Sequence, residues 1–203
     1  PWLEDGRLEV QDEGSQLIGY AVAPRRTDMV VDFCAGAGGK TLLLGALMRS
    51  TGRLYAFDVS DKRLQKLKPR LARSGLSNVH PACISNENDL RVKRLSGKID
   101  RVLVDAPCSG LGTLRRNPDL KWRQTPQGVA ELTRKQRDIL AGAARLVKPG
   151  GRLVYATCSM LAEENEAVVD AFLAVHADFH RLNALELLAQ QSIVISGDGP
   201  DMR

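Results

Sequence analysis

Five short apolar runs alternate along the chain with longer segments of helical period, and this alternation constrains the fold more than any other feature. The predicted strands are Met29–Phe33, Arg53–Phe57, Val79–Ile84, Arg101–Val104 and Arg152–Ala156. The predicted helices lie near Lys40–Arg49, Asp61–Ser74, Pro126–Val147 and Glu163–Ala174. Strands that alternate with helices form a parallel sheet joined by right-handed crossovers, with helices on both faces. We therefore predict an α/β fold with a mostly parallel sheet.

Both ends of the chain differ in pattern from the middle. Residues 1–28 contain polar turns and one amphipathic stretch, Ser15–Ala23, which predicts a lead-in segment with a helix against the sheet. Residues 29–203 form the predicted Rossmann-like domain. Its last strand candidate, Ser192–Ile195, is followed only by a turn-forming run, so we expect the domain to be C-terminally incomplete, with further strands beyond Arg203.

Composition excludes several classes of protein. The 203 residues carry 29 Lys+Arg and 24 Asp+Glu, a formal net charge of +5. Neither a leader sequence nor an apolar run of about 18 residues is present, which predicts a cytoplasmic protein without a membrane partner. The four cysteines form no C-x-x-C pair, and His176 and His180 lack a third ligand nearby, so we predict no metal site.

Unusual polar and reactive residues follow the predicted strands at the point where each strand ends. The first strand runs into the loop 34–41 (CAGAGGKT), the second into Asp58, the third into Ser85 and Asn86, the fourth into Asp105 and Cys108, and the fifth into Cys158. In an open α/β sheet, ligands bind outside the carboxyl ends of the strands. The sequence therefore predicts one ligand site at this edge.

The loop 34–41 and Asp58 together indicate a nucleoside-containing ligand. Gly36, Gly38 and Gly39 permit close backbone approach, although a glycine cluster by itself is also typical of a structural turn. A Walker phosphate loop would need glycine where Cys34 stands, and the dinucleotide fingerprint lacks its last glycine. Asp58 follows Gly36 by 22 residues, where an acid accepts hydrogen bonds from ribose hydroxyls. The adenine contact is predicted at Asn86, with Ser85 and Glu87 as alternatives.

Two of the thiols stand just beyond strands rather than inside them. Cys108 follows Asp105 by three residues, and Cys158 lies between Thr157 and Ser159. Cysteines with a purely structural role are usually buried small hydrophobic residues within elements, as Cys83 is predicted to be. We therefore predict a chemical role for Cys108 and Cys158, and a role in loop shape for Cys34.

A long connection, residues 109–125, is rich in cations. It carries Arg115, Arg116, Lys121, Trp122 and Arg123. Guanidinium groups and an indole suit phosphate contact and base stacking, so the segment predicts an RNA contact. A solvated basic loop with its tryptophan against the surface is the alternative.

Three runs of these residues resemble one family. Asp32–Thr41 (DFCAGAGGKT), Val104–Gly110 (VDAPCSG) and Tyr155–Ser159 (YATCS) followed by Glu163-Glu164-Asn165 are similar to the Sun-domain RNA (cytosine-5) methyltransferases, in particular the bacterial 16S rRNA enzymes of the Fmu type. The opening run 11–16 (QDEGSQ) is similar too. The resemblance implies a class I S-adenosylmethionine-dependent methyltransferase fold and a catalytic core of a longer protein.

The resemblance also implies roles for the residues at the sheet edge. Cys158 would be the nucleophile, Cys108 the thiol that assists release, and Asp105 a partner of both the target base and S-adenosylmethionine. The cofactor would be held by Cys34, Ala35, Gly36, Ala37, Gly38, Gly39, Lys40, Asp58, Arg63 and Asn86, although the family usually has an acid where Asn86 stands.

Function and partners follow as expectations. We predict transfer of a methyl group to carbon 5 of a cytosine in RNA, with 16S rRNA as the substrate, by a monomer that needs no metal. A tRNA substrate, a non-catalytic RNA-binding or ribosome-assembly protein on the same scaffold, and a nucleotide hydrolase that uses Gly39-Lys40-Thr41 are the alternatives.

Overall fold

The strands of the molecule form one parallel sheet, seen in a computed structural model that describes residues 2–195. The strands are β1 (Met29–Asp32), β2 (Arg53–Asp58), β3 (Val79–Cys83), β4 (Ile99–Asp105) and β5 (Val147–Ala156). Their order across the sheet is β3-β2-β1-β4-β5, and every pairing is parallel. The chain therefore reverses its direction of travel across the sheet between β3 and β4, which opens a crevice beyond the ends of β1 and β4.

Helices connect the strands and cover both faces. They are α1 (Glu13–Val22), α2 (Gly39–Leu47), α3 (Asp61–Ser74), α4 (Leu90–Lys93), α5 (Leu120–Arg123), α6 (Pro126–Ala144), α7 (Glu166–Val175) and α8 (Ala184–Ala189), with 3-10 turns at Leu111–Thr113 and Ala162–Glu164. Within residues 2–195, none of these helices has the length and apolar character that a membrane crossing requires.

Adjacent residues of β1 are buried on opposite sides of the sheet. Val30 packs in a cluster with Leu44 of α2 and Leu67 of α3, whereas Val31 packs in a second cluster with Ile139 of α6. Both valines are fully buried. Because side chains alternate along a strand, burial at both positions requires a layer of helices on each face. The predicted Rossmann-like α/β fold, with a parallel sheet and helices on both faces, is confirmed.

Polar caps fix the starts of several helices. The Ser60 hydroxyl accepts a hydrogen bond from Arg63 N at the start of α3, and the Thr125 hydroxyl accepts one from Gly128 N, with Pro126 at the first helical position of α6. Serine and threonine are preferred residue types at helix starts, and proline is preferred at the first helical position. The predicted lead-in helix is α1, and Arg152 donates a hydrogen bond of 2.9 Å to the carbonyl of Ala21 near its end.

The observed elements differ from the predicted ones at several places. The long helix α6 ends at Ala144, three residues before its predicted end, and β5 begins at Val147, before the Pro149-Gly150-Gly151 run and five residues earlier than predicted. The pairing shifts from Ile99–Val147 to Arg101–Arg152, so extra residues of β5 form a bulge there. The connection 109–125 contains the 3-10 turn and α5, and the short helix α4 was not predicted.

The strand predicted at Ser192–Ile195 is wrong. Ser192 has a left-handed backbone, with φ of 60°, and its N–H donates to the carbonyl of Ala189. Ile193 N donates to the carbonyl of Leu188, so both amides close the end of α8 instead of pairing with a strand. The turn-forming run that follows lies outside the described residues.

Candidate active site

A cavity of about 490 Å³ opens at the carboxyl ends of β1, β2, β4 and β5. Eleven of the thirteen predicted site residues line it: Cys34, Ala35, Gly36, Ala37, Gly39, Lys40, Asp58, Arg63, Asp105, Cys108 and Cys158. Parallel strands bring these residues together although the chain spreads them over more than a hundred positions. The structure therefore brings these predicted residues together around one cavity at the carboxyl edge of the sheet.

The glycine-rich loop is anchored to the neighbouring strand. Ala35 N donates to the carbonyl of Phe57, and Gly36 N donates to Asp58 Oδ2 at 2.8 Å. Gly38 has φ of 86°, and a Cβ atom there would lie 2.2 Å from Leu67 Cδ1. Gly38 therefore shapes the turn against α3 and is not among the residues that line the cavity.

Asp58 is buried at the end of β2 and fully oriented by its contacts. Its Oδ1 accepts hydrogen bonds from Ser60 N at 2.7 Å and from Arg63 Nη2 at 2.7 Å, and its Oδ2 accepts the bond from Gly36 N. A carboxylate oxygen offers two lone pairs, so Oδ2 retains capacity for one more donor. This arrangement suits a hydroxyl of a bound ribose.

Asp32 is a cavity residue for which the sequence predicted no role. It is 1% exposed, and Thr41 Oγ1 donates to its Oδ2 at 2.7 Å, while its buried Oδ1 has no hydrogen-bond partner within the described residues. Burial raises the pKa of Asp32 to about 7, and the charge of Asp105 acts in the same direction. Asp32 is a lining residue of the cavity and has one oxygen without a partner, which suits a cationic group of a ligand.

The sulfurs of Cys108 and Cys158 are 3.2 Å apart, although the residues are separated by 50 positions. Cys158 N also donates to Cys108 Sγ at 3.3 Å. The hydrogen bond from the Cys108 thiol lowers the pKa of Cys158, against burial and the charge of Asp105, which raise it. The same contact and burial raise the pKa of Cys108. The contact therefore favours the thiolate at Cys158, an exposed residue, and the neutral thiol at Cys108.

Asp105 and Lys40 form an ion pair inside the cavity. Lys40 Nζ lies 2.7 Å from Asp105 Oδ2, and the two side chains are 15% and 32% exposed. Both residues line the same space as the two thiols. The pair places a carboxylate and an ammonium where a base could accept or donate hydrogen bonds.

Cys34 and Asn86 differ from the residues above. Burial raises the pKa of the Cys34 thiol, helped by the charges of Asp32 and Asp58, so this sulfur stays protonated. Asn86 is exposed and its Oδ1 accepts a hydrogen bond from Asn88 N at 2.8 Å. Asn86 is not among the cavity-lining residues, so its contact with adenine stays a prediction.

The basic segment 109–125 begins beside Cys158. Gly112 N donates to the carbonyl of Cys158 at 2.9 Å, which holds the 3-10 turn against that loop. Trp122 is 81% exposed, and Lys121 Nζ lies 5.1 Å from the centre of its ring. Arg116 pairs with Asp12, and Arg123 pairs with Asp119. The predicted cations are exposed, and the segment that carries them is bonded to the Cys158 loop at Gly112.

Several lining residues were missed by sequence reasoning. Gln11 belongs to the opening run 11–16, and its buried Nε2 has no partner within the described residues. Lys135 and Ile139 come from α6, one helical turn apart, and line the thiol side. The only signal for them in the sequence is their position on an amphipathic helix. This signal does not distinguish a residue that lines a cavity from a residue that packs in the core. Within residues 2–195 no cluster of three or more His, Cys, Asp or Glu could hold a metal ion.

The fold and this site define a class I methyltransferase domain, and comparison with known proteins gives the family. A family model described as "16S rRNA methyltransferase RsmB/F" matches residues 19–199. The chain belongs to this family.

Individual relatives support the same family assignment. A probable ribosomal RNA small subunit methyltransferase B from Synechocystis is 43% identical over 88% of the chain and 40% of the relative, and one from Bacillus subtilis is 37% identical over 91% of the chain and 41% of the relative. The crystal structure of NSun6 from Pyrococcus horikoshii with SFG has a TM-score of 0.78 and 31% identity, over 85% of this chain and 44% of that one. The chain spans about two fifths of the length of these curated relatives.

Proposed function

We propose that this protein transfers a methyl group from S-adenosylmethionine to carbon 5 of a cytosine in 16S rRNA, through a covalent adduct with Cys158. One observation carries the proposal. The Cys108 and Cys158 sulfurs lie 3.2 Å apart in the same cavity as the glycine loop and Asp58. A nucleophilic thiol, a second thiol and a nucleoside cradle are the parts that this reaction needs.

The residues present fit S-adenosylmethionine. Asp58 would accept from the ribose hydroxyls, and the loop 34–40 would surround the methionine part. The orphaned oxygen of Asp32 suits the ammonium group, and the orphaned Nε2 of Gln11 suits the carboxylate. The relative from Pyrococcus horikoshii was crystallised with SFG, an analogue of S-adenosylmethionine, which supports the same choice. When bound, the cofactor supplies an electrophilic methyl group on a sulfonium.

The chemistry requires covalent catalysis because carbon 5 of cytosine is too weak a nucleophile on its own. The Cys158 thiolate adds to carbon 6, and the electron pair of the 5,6 double bond becomes available at carbon 5. Carbon 5 would then bond to the methyl group as the bond between that methyl group and the sulfonium sulfur breaks, which leaves S-adenosylhomocysteine. Transfer of the carbon 5 proton to water would restore the 5,6 double bond as the bond between sulfur and carbon 6 breaks, and Cys158 would return as a thiolate. Asp105 would hold the base ring and Cys108 would assist release.

An RNA base must leave its stack to reach this cavity. Trp122 offers an exposed indole for a neighbouring base. Arg115, Lys121 and Arg123 offer charge to phosphates, on a segment that is bonded to the Cys158 loop at Gly112. We propose that this segment guides a loop or bulge of the RNA to the thiols. A cytoplasmic site of action and a monomeric state belong to the same proposal.

Methyl transfer to RNA tests the proposal. With labelled S-adenosylmethionine and unmodified 16S rRNA or tRNA, we expect incorporation into cytosine of 16S rRNA. Cys158→Ala should abolish transfer without changing the affinity for S-adenosylhomocysteine more than about twofold, since the thiol contacts the base rather than the cofactor. Cys108→Ala should accumulate protein covalently bound to RNA.

The matched control is Cys83→Ala, because Cys83 is a thiol on β3 outside the cavity lining, and this variant should transfer like the wild type. Full turnover by Cys158→Ala would contradict the assignment of the nucleophile. Transfer to tRNA alone would replace the substrate, and RNA binding without any transfer would favour the non-catalytic alternative.

A further inference from the structure

The two thiols belong to separate loops, and something must hold those loops at a fixed distance. Cys108 follows β4 and Cys158 follows β5, and Cys158 is exposed. A contact between two sulfurs is too weak to fix two loops, since thiols are poor donors and acceptors. The pairing of β4 with β5, which continues to the hydrogen bond from Ala106 N to the carbonyl of Ala156, brings the two loops together. Beyond these strands, a residue bonded to both loops is needed to fix the separation of 3.2 Å between the sulfurs.

Glu164 is bonded to the Cys108 loop at Ser109 and, through the hydroxyl of Ser109, to the Cys158 loop at Ser159. It lies in the 3-10 turn after β5 and is 0% exposed. Its Oε1 accepts hydrogen bonds from Ser109 N at 2.8 Å and from Gln136 Nε2 at 2.9 Å, and its Oε2 accepts one from Ser109 Oγ at 2.5 Å. The carboxylate thus binds the residue immediately after Cys108.

The same network reaches both sides of Cys108 and the loop of Cys158. Gln136 Nε2 also donates to the carbonyl of Pro107, the residue before Cys108. Ser109 Oγ lies 3.1 Å from Ser159 Oγ, and Ser159 follows Cys158. Asn165, next to Glu164, donates to the carbonyl of Ser159 at 3.1 Å. Both cysteine loops are therefore tied to one buried turn.

The group is a carboxylate at neutral pH. Burial raises the pKa of Glu164, but hydrogen bonds from Ser109, Ser159 and Gln136 outweigh burial and lower it overall. Within residues 2–195 no arginine or lysine forms an ion pair with it. A buried charge held only by neutral donors is costly to the fold, which indicates that the arrangement of those donors matters.

We propose that Glu164 is a positioning residue that sets the distance between the Cys108 and Cys158 sulfurs. It acts through Ser109, Ser159 and Gln136 and touches neither the base nor the cofactor. This inference rests on the proposed function, because only the methyl transfer needs both thiols at one base.

Glu164→Gln tests the inference with a change of nearly equal volume. A glutamine amide replaces one acceptor by a donor, and that donor faces Ser109 or Gln136, so one link of the network breaks. We expect turnover in methyl transfer to fall about 100-fold, the size expected for a displacement of about 1 Å. The KM for RNA and the affinity for S-adenosylhomocysteine should change less than about twofold.

Alkylation of Cys158 against pH gives a readout that does not depend on RNA. Loss of the hydrogen bond from Cys108 should move the midpoint of the profile to higher pH in Glu164→Gln. Removal of a negative charge alone would move the midpoint to lower pH, so the sign separates positioning from simple electrostatics. The matched control is Glu163→Gln, since Glu163 is the exposed neighbour and should behave like the wild type in both assays.

Each outcome decides between the proposals. A folded Glu164→Gln protein with unchanged turnover and an unchanged alkylation profile overturns the positioning role. If the wild type methylates no RNA but the midpoint rises in Glu164→Gln, the proposed function fails while the positioning of the thiols stands. Should Glu164→Gln not fold, Ser109→Ala decides, because it removes one hydroxyl link and keeps the backbone bond; an unchanged midpoint there counts against the inference.

Discussion

The sulfurs of Cys108 and Cys158 lie so close together that the protonation of one affects the pKa of the other. Their separation of 3.2 Å lets the Cys108 thiol donate to the Cys158 thiolate, which lowers the pKa of Cys158 and leaves Cys108 protonated. The direction of these two pKa shifts favours the thiolate at Cys158, which is consistent with the nucleophile proposed for this site. At this scale the pair, rather than either residue, is the functional unit.

Alkylation by iodoacetamide should report this hydrogen bond. We expect Cys158 to react with a midpoint below the pH of about 8.5 that is typical of a free thiol. In Cys108→Ala the donor is absent and the midpoint should rise, and once it lies well above pH 7 each further unit lowers the thiolate fraction at pH 7 about tenfold. Rates for individual cysteines follow from mass spectrometry of peptides. Cys83 in the same sample serves as the reference. An unaltered Cys158 midpoint in Cys108→Ala would refute the hydrogen bond from the Cys108 thiol to the Cys158 thiolate.

Single residues of the site were predictable to different degrees. Asp58, Asp105, Cys108 and Cys158 stand where strands end, so their position along the chain indicated their position in the molecule. Asp32 sits inside a β-branched run, and only the folded loop shows that one of its oxygens is orphaned. Asn86 was expected at the ligand because it follows β3, but the turn to Asn88 directs its amide to the backbone.

Among the elements, the segment 109–125 joins the thiols to the exposed surface. Its 3-10 turn is bonded to Cys158, and α5 presents Lys121 and Trp122. Arg115 and Lys121 have no ion-pair partner within the described residues, unlike Arg116 and Arg123. Free cations release more counterions from a phosphate than cations already paired with carboxylates.

Removal of these charges should therefore weaken binding to RNA. We expect Arg115→Gln with Lys121→Gln to lower the affinity for 16S rRNA and to reduce the slope of log affinity against log salt by roughly 1.4, or about 0.7 for each single-strand phosphate that the variant no longer neutralises. Fluorescence anisotropy at several salt concentrations measures both. Arg49→Gln with Arg53→Gln, at the opposite edge of the sheet, is the control of equal charge. Identical slopes in all three proteins would show that the segment is only a solvated loop.

Most elements were predictable from the sequence, and the failures have physical causes. Strands and long helices carry strong periods and side-chain caps such as Ser60 and Thr125. The start of β5 was missed because Lys148-Pro149-Gly150 is typical of a break, whereas the sheet absorbs it as a bulge. The run 192–195 is apolar but too short to outweigh the closure of α8. A helix of four residues such as α4 has no detectable period.

At the scale of the whole molecule, burial of Asp32 couples stability to pH. Its pKa is raised from 3.8 to about 7, so between these values the unfolded chain releases a proton that the folded protein keeps. The free energy of unfolding should therefore fall as the pH rises from about 4 to about 7, by up to about 4 kcal/mol, and then stay level as far as this group is concerned.

Asp32→Asn should flatten this dependence, because an amide does not titrate. Urea denaturation at about pH 5 and about pH 8 measures the difference, and Asp138→Asn, an exposed carboxyl on α6, is the control. The expected result is a smaller loss of stability between the two pH values in Asp32→Asn than in either the wild type or the control. An equal loss in all three would mean that Asp32 is already ionised in the folded protein at the lower pH.

The position of β5 has a consequence for how the molecule meets other chains. Within the described residues β5 pairs with β4 alone, so it is a border of the sheet. Its first half carries a lysine, a proline and the bulge, three features that hinder the addition of a foreign strand. Only the stretch from Arg152 to Ala156 is regular enough to accept one, and that stretch leads directly to Cys158. Any strand that joined the sheet there, whether from this protein or from another chain, would lie beside the residues that lead to Cys158.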